Sequence, residues 1–284
     1  MSLLHETKEL LHRYGVKPRK KLGQSFVTDR ALLERMVAHA DLKQRDIVLE
    51  IGAGLGFLTE LLAKNAGRVI AIEVDSKLLK ILSDRLSTFK NVEIVYGDIL
   101  KIAFPKFTKV VSNPPYAISS PLIFRLLEKK FDRGILTFQE EFARRLVAQK
   151  GTNEYGRLTV MVYYYAEAEL LEPVSEDSFY PSPNVASIVV YLKTRNPPFR
   201  VLDEGLFSAL VRALFTQRNR KVKKALDVFF RGIARADRHV KELVEKLPFL
   251  ESRVEQLAPE DFGVLSNAIY ENLITKEWLP HHLV

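Results

Sequence analysis

The chain has 284 residues, 47% of them hydrophobic and 27% charged, ordinary values that set aside collagen-like, fibrous and disordered readings. Lysine and arginine (43) outnumber aspartate and glutamate (35), and the net charge of +8 favours a polyanionic partner. With no cysteine there is no disulfide framework, thiolate metal site or thiol nucleophile, and no apolar run is long enough to cross a membrane. The first residues carry Glu6 and Glu9 and lack an apolar secretory core, so a cytoplasmic protein is expected.

From about residue 46, short β-branched runs alternate with helical patterns. Ile47–Ile51, Arg68–Glu73, Val92–Tyr96, Lys109–Ser112 and Gly134–Phe138 are predicted strands. Leu55–Ala66, Ser76–Ser87 and Pro121–Lys130 are predicted helices, with Ser76 and Ser120 as caps. This rhythm predicts a Rossmann-like α/β domain, a parallel sheet with helices on both faces. Leu158–Tyr165 carries apolar residues on every side and fits a helix or a strand. Ala166–Val174 and Val185–Lys193 read as two further strands, joined by the Pro-rich loop Phe179-Tyr180-Pro181-Ser182-Pro183. Thr194-Arg195-Asn196-Pro197-Pro198 is a linker by composition, and residues 203–280 are helical in pattern. Residues 1–195, with a basic N-terminal arm, are thus expected to form one domain and residues 200–284 a small, all-helical second one.

After the first predicted strand stands Glu50-Ile51-Gly52-Ala53-Gly54-Leu55-Gly56. Glycines at a strand-to-helix turn let the backbone approach a ligand closely. A dinucleotide fingerprint would need glycine at position 57, where this chain has Phe57. The compact spacing suits a cofactor without a pyrophosphate, and S-adenosylmethionine (SAM) is the expected one. Glu73 closes the second strand, where a carboxylate can accept hydrogen bonds from both ribose hydroxyls. Asp75 is a rival for that role, although its place before Ser76 suits a helix start. Asp98, after the third strand, is positioned to accept from an adenine amino group.

The fourth strand ends in Asn113-Pro114-Pro115-Tyr116, a pattern of amino-methyltransferases acting on adenine, cytosine and glutamine amides. An exocyclic amino group is a weak nucleophile because its lone pair is delocalised into the ring. The Asn113 side-chain carbonyl and the Pro114 main-chain carbonyl can accept its N–H groups and aim that lone pair at a methyl donor. Tyr116 offers a face for stacking the base. Phe179 is a candidate for the opposite face, or equally a core aromatic. Ring-carbon methylation of pyrimidines needs a thiolate, which this chain lacks. No H-E-x-x-H pair, G-x-S-x-G or Walker loop occurs, and no metal site is expected.

With these pieces in place the chain resembles the small-subunit rRNA adenine dimethyltransferases (KsgA-type) over nearly its whole length. The resemblance runs through Lys21–Phe26, Glu50–Gly56, Glu73, Gly97-Asp98, Asn113–Tyr116, Tyr155–Leu158, Phe179–Val185 and Phe215–Lys221. It implies a SAM-dependent methyltransferase fold with a small helical domain. It also implies four methyl transfers to two adjacent adenines in a hairpin near the 3′ end of small-subunit rRNA, within a pre-ribosomal small subunit, by a monomer. SAM contacts are implied for Gln24, Ser25, Val27, Gly52, Gly54, Glu73, Asp98 and Asn113. The family usually has asparagine where Ser25 stands, leaving main-chain contacts there; its tetrapeptide is commonly Asn-Leu-Pro-Tyr, and its Arg-Arg-Lys run is spaced differently here.

Two charge clusters fit an RNA substrate. Arg13, Lys17, Arg19, Lys20 and Lys21 fall within nine residues without an acid, and Arg212, Arg218, Arg220, Lys221, Lys223 and Lys224 within thirteen. Of these, Arg19, Lys20, Lys21, Arg218, Arg220, Lys221, Lys223 and Lys224 are the expected RNA contacts. A DNA adenine methyltransferase would explain Asn113–Tyr116 but neither the helical tail nor the Phe179–Val185 pattern. A non-catalytic RNA-binding factor could dispense with Glu73, Asp98 and Asn113, all present here.

Overall fold

The computed structural model describes residues 2–19, 22–233, 242 and 244–274; Lys20, Lys21 and the end of the predicted helical region, 275–280, lie outside them. The chain divides into two compact units, residues 1–144 with 166–195, and residues 145–165 with 196–284. A single boundary near residue 195 is therefore corrected: residues 145–165 leave the α/β unit and join the helical one.

The first unit is built on a seven-stranded sheet. Its strands are β2 (Ile47–Ile51), β3 (Arg68–Glu73), β4 (Val92–Tyr96), β5 (Lys109–Ser112), β6 (Arg133–Gln139), β7 (Ala166–Val174) and β9 (Ser187–Thr194). They run in the order β4-β3-β2-β5-β6-β9-β7. The first five are mutually parallel and β9 is antiparallel to both neighbours, so the sheet is mixed at one end. Continuous burial in β3, β5 and β6 explains their unbroken apolar runs. A second, two-stranded sheet pairs β1 (Phe26–Val27) with β8 (Phe179–Tyr180), placing part of the predicted Pro-rich loop in a strand.

Helices α1 (Leu3–Arg13) and α2 (Arg30–Ala40) precede the predicted elements and are capped by Ser2 and Asp29. Leu3, Thr7 and Leu11 form the buried stripe of α1 at four-residue spacing. Glu6 accepts from Arg85 at 2.6 Å, holding α1 to helix α4 (Ser76–Leu86). The cap of α4 is Asp75, which accepts from the Lys77 amide, not Ser76. Helix α3 spans Phe57–Asn65, α5 Ser119–Leu127 and α6 Glu140–Leu146. Ser120 lies inside α5 and is not its cap; Ser119 instead donates to the Tyr116 carbonyl at 2.9 Å.

The second unit contains helices α7 (Arg157–Tyr165), α8 (Glu204–Phe215), α9 (Val222–Ile233) and α10 (Pro259–Ile274), and no strand among its described residues. Leu158, Val160, Met161, Val162 and Tyr164 of α7 are all buried, which is why its sequence shows no polar face. Tyr164 packs against Phe207 with ring centroids 4.9 Å apart, and Phe215 against Phe262 at 5.3 Å. The Tyr155 hydroxyl donates to the Leu257 carbonyl at 2.7 Å.

One buried charge ties α2 to the sheet. Lys109, at the start of β5, donates to the Ala40 and Asp41 carbonyls at 3.1 and 2.5 Å and lies 2.9 Å from Asp46. A cation at this position satisfies the carbonyls at the α2 C-terminus. Burial pushes the Asp46 carboxyl up, but bonds from Lys109, the Lys43 amide and Thr108 outweigh it and hold it below its ordinary value. Replacing one partner of a buried pair strands the other. The Lys109→Met variant is therefore expected to lose about 3–5 kcal/mol at neutral pH, measured by urea denaturation. A loss within the scatter of surface mutants would show that the pair contributes nothing to stability.

Candidate active site

The C-terminal ends of β2, β3, β4 and β5 open on one cavity, lined by residues 22–27, 50–55, 72–74, 97–99 and 113–118 together with Leu33, Phe57, Leu58 and Leu78. This is the edge at which ligands bind in open parallel sheets. Gly52 and Gly54 take φ of +77° and +61°. A Cβ on Gly52 would meet the Pro115 ring at 3.1 Å, and one on Gly54 the Phe26 ring at 3.2 Å. The glycine loop therefore lies directly against the Asn113–Tyr116 turn on one side and β1 on the other.

Glu73, only 4% exposed, accepts from the amides of Gly54 (2.9 Å), Val74 (2.8 Å) and Asp75 (2.8 Å). Burial raises its pKa and these three amides oppose the rise. A carboxylate has about four acceptor directions. Three are taken by these amides, and the capacity that remains faces the cavity and is open to a ribose hydroxyl. Asp75, the rival, is spent on the Lys77 amide, on Gln24 Nε2 at 2.8 Å and on Arg19 at 3.3 Å, and does not line the cavity.

The same contacts redefine Gln24 and Ser25. Gln24 Oε1 accepts from the Arg19 amide at 2.8 Å, so both ends of its side chain are used within the protein. The Ser25 hydroxyl donates to the Pro181 carbonyl at 2.6 Å. These side chains fasten the N-terminal segment down, and what they offer a ligand is their main chain; Val27 lines the cavity beside them. Asp98 lies at the cavity, one oxygen accepting from the Leu100 amide at 2.9 Å and the other 3.6 Å from Lys101. Arg125, on α5, donates to the Ile99 and Ile102 carbonyls and sits 4.8 Å over the Phe104 ring, fixing the loop behind Asp98.

Asn113 is the polar group at the centre of the turn. Its Nδ2 donates to the Ser25 carbonyl at 3.3 Å, while its Oδ1 is buried without a hydrogen-bond partner. Pro114 and Tyr116 line the same cavity. The Tyr116 hydroxyl is 2.7 Å from Ser187 Oγ, which fixes the ring, and burial pushes the phenol pKa up against that bond. Phe179 does not reach this cavity: it is 3% exposed, pairs with Val27 and packs in the core, so its role as a stacking face is withdrawn. The Pro-rich loop curls its first residue inward as strand β8.

Glu50 was quoted as part of the glycine motif but not singled out. It lines the cavity at 2% exposure, and its Oε2 is buried without a partner. Burial pushes its carboxyl up to about 8; Thr59 opposes this, and the charge of Glu73 adds to it. The available signal was an acid inside the apolar run Ile47–Ile51. Among its described residues the cavity is lined by three acidic side chains and no basic one, which suits a cationic nucleoside better than a pyrophosphate.

The basic clusters are partly consumed inside the protein. Arg13 pairs with Glu9 and Arg19 with Asp75. Arg218 donates to the Asn153 and Thr152 carbonyls at 2.7 and 2.9 Å and lies 3.4 Å from Glu255, which gives it a structural role as a clasp. Lys221 pairs with Glu251 at 2.6 Å. Arg220, Lys223 and Lys224 are exposed, with no ion pair among the described residues. No described residues form a metal-binding cluster, and no described helix is long and apolar enough to cross a membrane.

The family model for ribosomal RNA adenine dimethylase matches residues 15–261. The chain belongs to this family. It is 46% identical over 261 residues to a probable ribosomal RNA small subunit methyltransferase A from Methanothermobacter thermautotrophicus, covering 91% of this chain and 93% of that protein. A protein of the same name from Methanosarcina acetivorans is 42% identical over 266 residues, 93% of this chain and 98% of its own. Among solved structures, a dimethyladenosine transferase from Plasmodium falciparum is similar with a TM-score of 0.75 and 29% identity, over 87% of this chain and 98% of that one. The 23S rRNA methyltransferase ErmE gives a TM-score of 0.63 at 30% identity, over 86% and 99%. The ribosomal RNA adenine dimethylase family thus has here its Rossmann-like methyltransferase fold, whose general cofactor is SAM.

Proposed function

We propose that the chain transfers methyl groups from SAM to the exocyclic amino groups of two adjacent adenines in a hairpin near the 3′ end of small-subunit rRNA, acting in the cytoplasm as a monomer on an assembling subunit. The observation that carries this reading is Asn113, whose Oδ1 is buried and unpartnered while its Nδ2 is held by Ser25. An unmet buried acceptor costs about 1–3 kcal/mol, and an adenine N–H is the donor that relieves it.

The order of groups along the sheet edge follows the strand order β4-β3-β2-β5. Asp98, Glu73, the Glu50–Gly54 segment and Asn113 therefore come in sequence, matching an adenine amino group, a ribose hydroxyl, the sulfonium and the target amine. Bound SAM supplies an electrophilic methyl group on a sulfonium. The Asn113 side-chain carbonyl and the Pro114 main-chain carbonyl take the two N–H groups of the target and turn its lone pair toward that methyl. Tyr116, anchored through Ser187, presents its ring to the base. No general base is needed for the transfer itself, because the methylated ammonium is acidic enough to yield its proton to water.

Radiolabelled methyl transfer from SAM to unmethylated small subunits, followed by nucleoside analysis, tests the reading; N6,N6-dimethyladenosine is the expected product and its absence overturns it. Asn113→Ala is expected to cut turnover by roughly 10²–10³, the scale for removing one preorganised hydrogen-bonding group at a reacting centre, with SAM affinity far less affected. Near-normal methylation would remove Asn113 from the mechanism.

For RNA docking, the exposed Arg220, Lys223 and Lys224 are the expected contacts that carry no ion pair among the described residues. Neutralising all three is expected to weaken rRNA binding and flatten the slope of log K against log[salt] by about 2 for single-stranded contacts, with SAM binding unchanged. An unaltered slope, in a variant folded by circular dichroism, would mean that these charges only face solvent.

A further inference from the structure

The carboxyl group of Glu50 is the one cavity-lining acid that the reading above leaves without a task. Glu73 has spent three acceptor directions on amides, and Asp98 has bonds to the Leu100 amide and Lys101. Glu50 keeps a buried oxygen with no partner. By strand order it stands between Glu73 on β3 and Asn113 after β5, the interval between the ribose and the target amine where a sulfonium belongs. The titratable groups around it are Glu73 on β3, and Asp98 and Tyr116 on the cavity wall, with the neutral Thr59 on α3; none among the described lining residues is cationic.

We propose that Glu50 is the counter-charge of the cofactor's sulfonium: a neutral carboxylic acid in the empty cavity, it ionises as SAM enters and gives its proton to solvent, and it takes a proton back once methyl transfer has left the sulfur neutral. The inference rests on the SAM reading and adds a charge-selective residue to it. Burial disfavours the carboxylate, and Glu73 reinforces this, so an uncompensated Glu50 is protonated at neutral pH. A sulfonium close by reverses the balance. S-adenosylhomocysteine (SAH), whose sulfur is uncharged, does not. Glu50 thus favours substrate cofactor over product and weakens the hold on the product in the step that creates it. The charges balance: one proton leaves the carboxyl for bulk water on SAM binding, and one returns from water after transfer.

The sign of the pH dependence follows. A group with a pKa of about 8 when free, lowered on binding, makes the SAM-to-SAH affinity ratio rise with pH, by up to about tenfold per unit below the free pKa, and level off above it. Calorimetry of the full chain with SAM and with SAH, in buffers of different ionisation heat at neutral pH, reads the protons released. The sulfonium lowers the pKa of the SAM amino group relative to that of SAH, and Glu50→Gln, measured in parallel, subtracts this ligand contribution. The expected result is a SAM-minus-SAH difference in proton release that is close to one proton larger in the wild type than in Glu50→Gln, whose affinity ratio lacks the corresponding rise with pH. A SAM-minus-SAH difference that is the same in the wild type and in Glu50→Gln overturns the proposal while SAM binding stands. If neither ligand binds the wild-type chain, the SAM reading itself fails and the role of Glu50 falls with it.

Discussion

The site depends on one buried carboxylate and what it holds still. Glu73 ends a central strand and accepts the amides of Gly54, Val74 and Asp75, which belong to the loops leaving two adjacent strands. Left unpaired, each of these buried donors would cost about 1–3 kcal/mol, so the loops have little freedom to leave it. The constraint passes onward through hydrogen bonds. Asp75, fixed by its own amide, receives Gln24 and Arg19; this seats the N-terminal segment, whose Ser25 carbonyl then receives Asn113. A line of polar contacts thus runs from β3 to the turn after β5, across the cavity that it shapes. Such positioning by supporting hydrogen bonds is what a transfer reaction with no acid–base residue needs most.

That chain of contacts explains which parts of the site could be read in the sequence. Strands β2 to β5 and β7 coincide with their predicted spans: β2, β3 and β5 are buried almost throughout and show as largely apolar runs, whereas the edge strands β4 and β7 interleave exposed with partly buried residues. The glycine loop, Glu73, Asp98 and Asn113 were legible because each sits at a strand end, where the local pattern identifies the position. The side-chain partners of Gln24, Ser25 and Arg19 were not legible because they lie far along the chain: Asp75 is 51 residues from Gln24, and Pro181 is 156 from Ser25. Nothing local distinguishes an amide that binds a ligand from one that fastens a loop. Phe179 stayed open between a stacking face and a core aromatic for a related reason, since a Pro-rich loop gives no sign that its first residue pairs with β1 and turns inward. Helix α7 was ambiguous because a helix buried on nearly every side has no period to show.

Charge counting overestimated the basic surface in the same way. Arg218 lies in a run of arginines and lysines that reads as a docking patch, yet its guanidinium is occupied by two carbonyls and Glu255. A planar fork of donors suits loop carbonyls as well as it suits phosphates. The fold alone does not decide the RNA either. Two solved structures similar to this chain carry names for different reactions or targets, a dimethyladenosine transferase and a 23S rRNA methyltransferase. Choice of substrate must therefore lie in side chains that the shared sheet leaves free to vary.

The distribution of charge gives the proposed function a physical logic. The protein carries a net charge of +8, yet the cavity at the sheet edge is lined by Glu50, Glu73 and Asp98 with no basic side chain among its described residues. Its two proposed ligands have opposite charge, a sulfonium cofactor and a polyanionic RNA, and a single-signed surface would serve one at the expense of the other. Exposed cations such as Arg220, Lys223 and Lys224 can draw phosphates without touching the cavity. The carboxylates repel a phosphate that strays into the cofactor cavity, while a base, which is neutral, enters freely. In the proposed reaction the group set to meet the adenine is Asn113, which is neutral as well. Electrostatics can sort the cofactor from the RNA backbone in this way, while hydrogen bonding to an uncharged amide selects the amine.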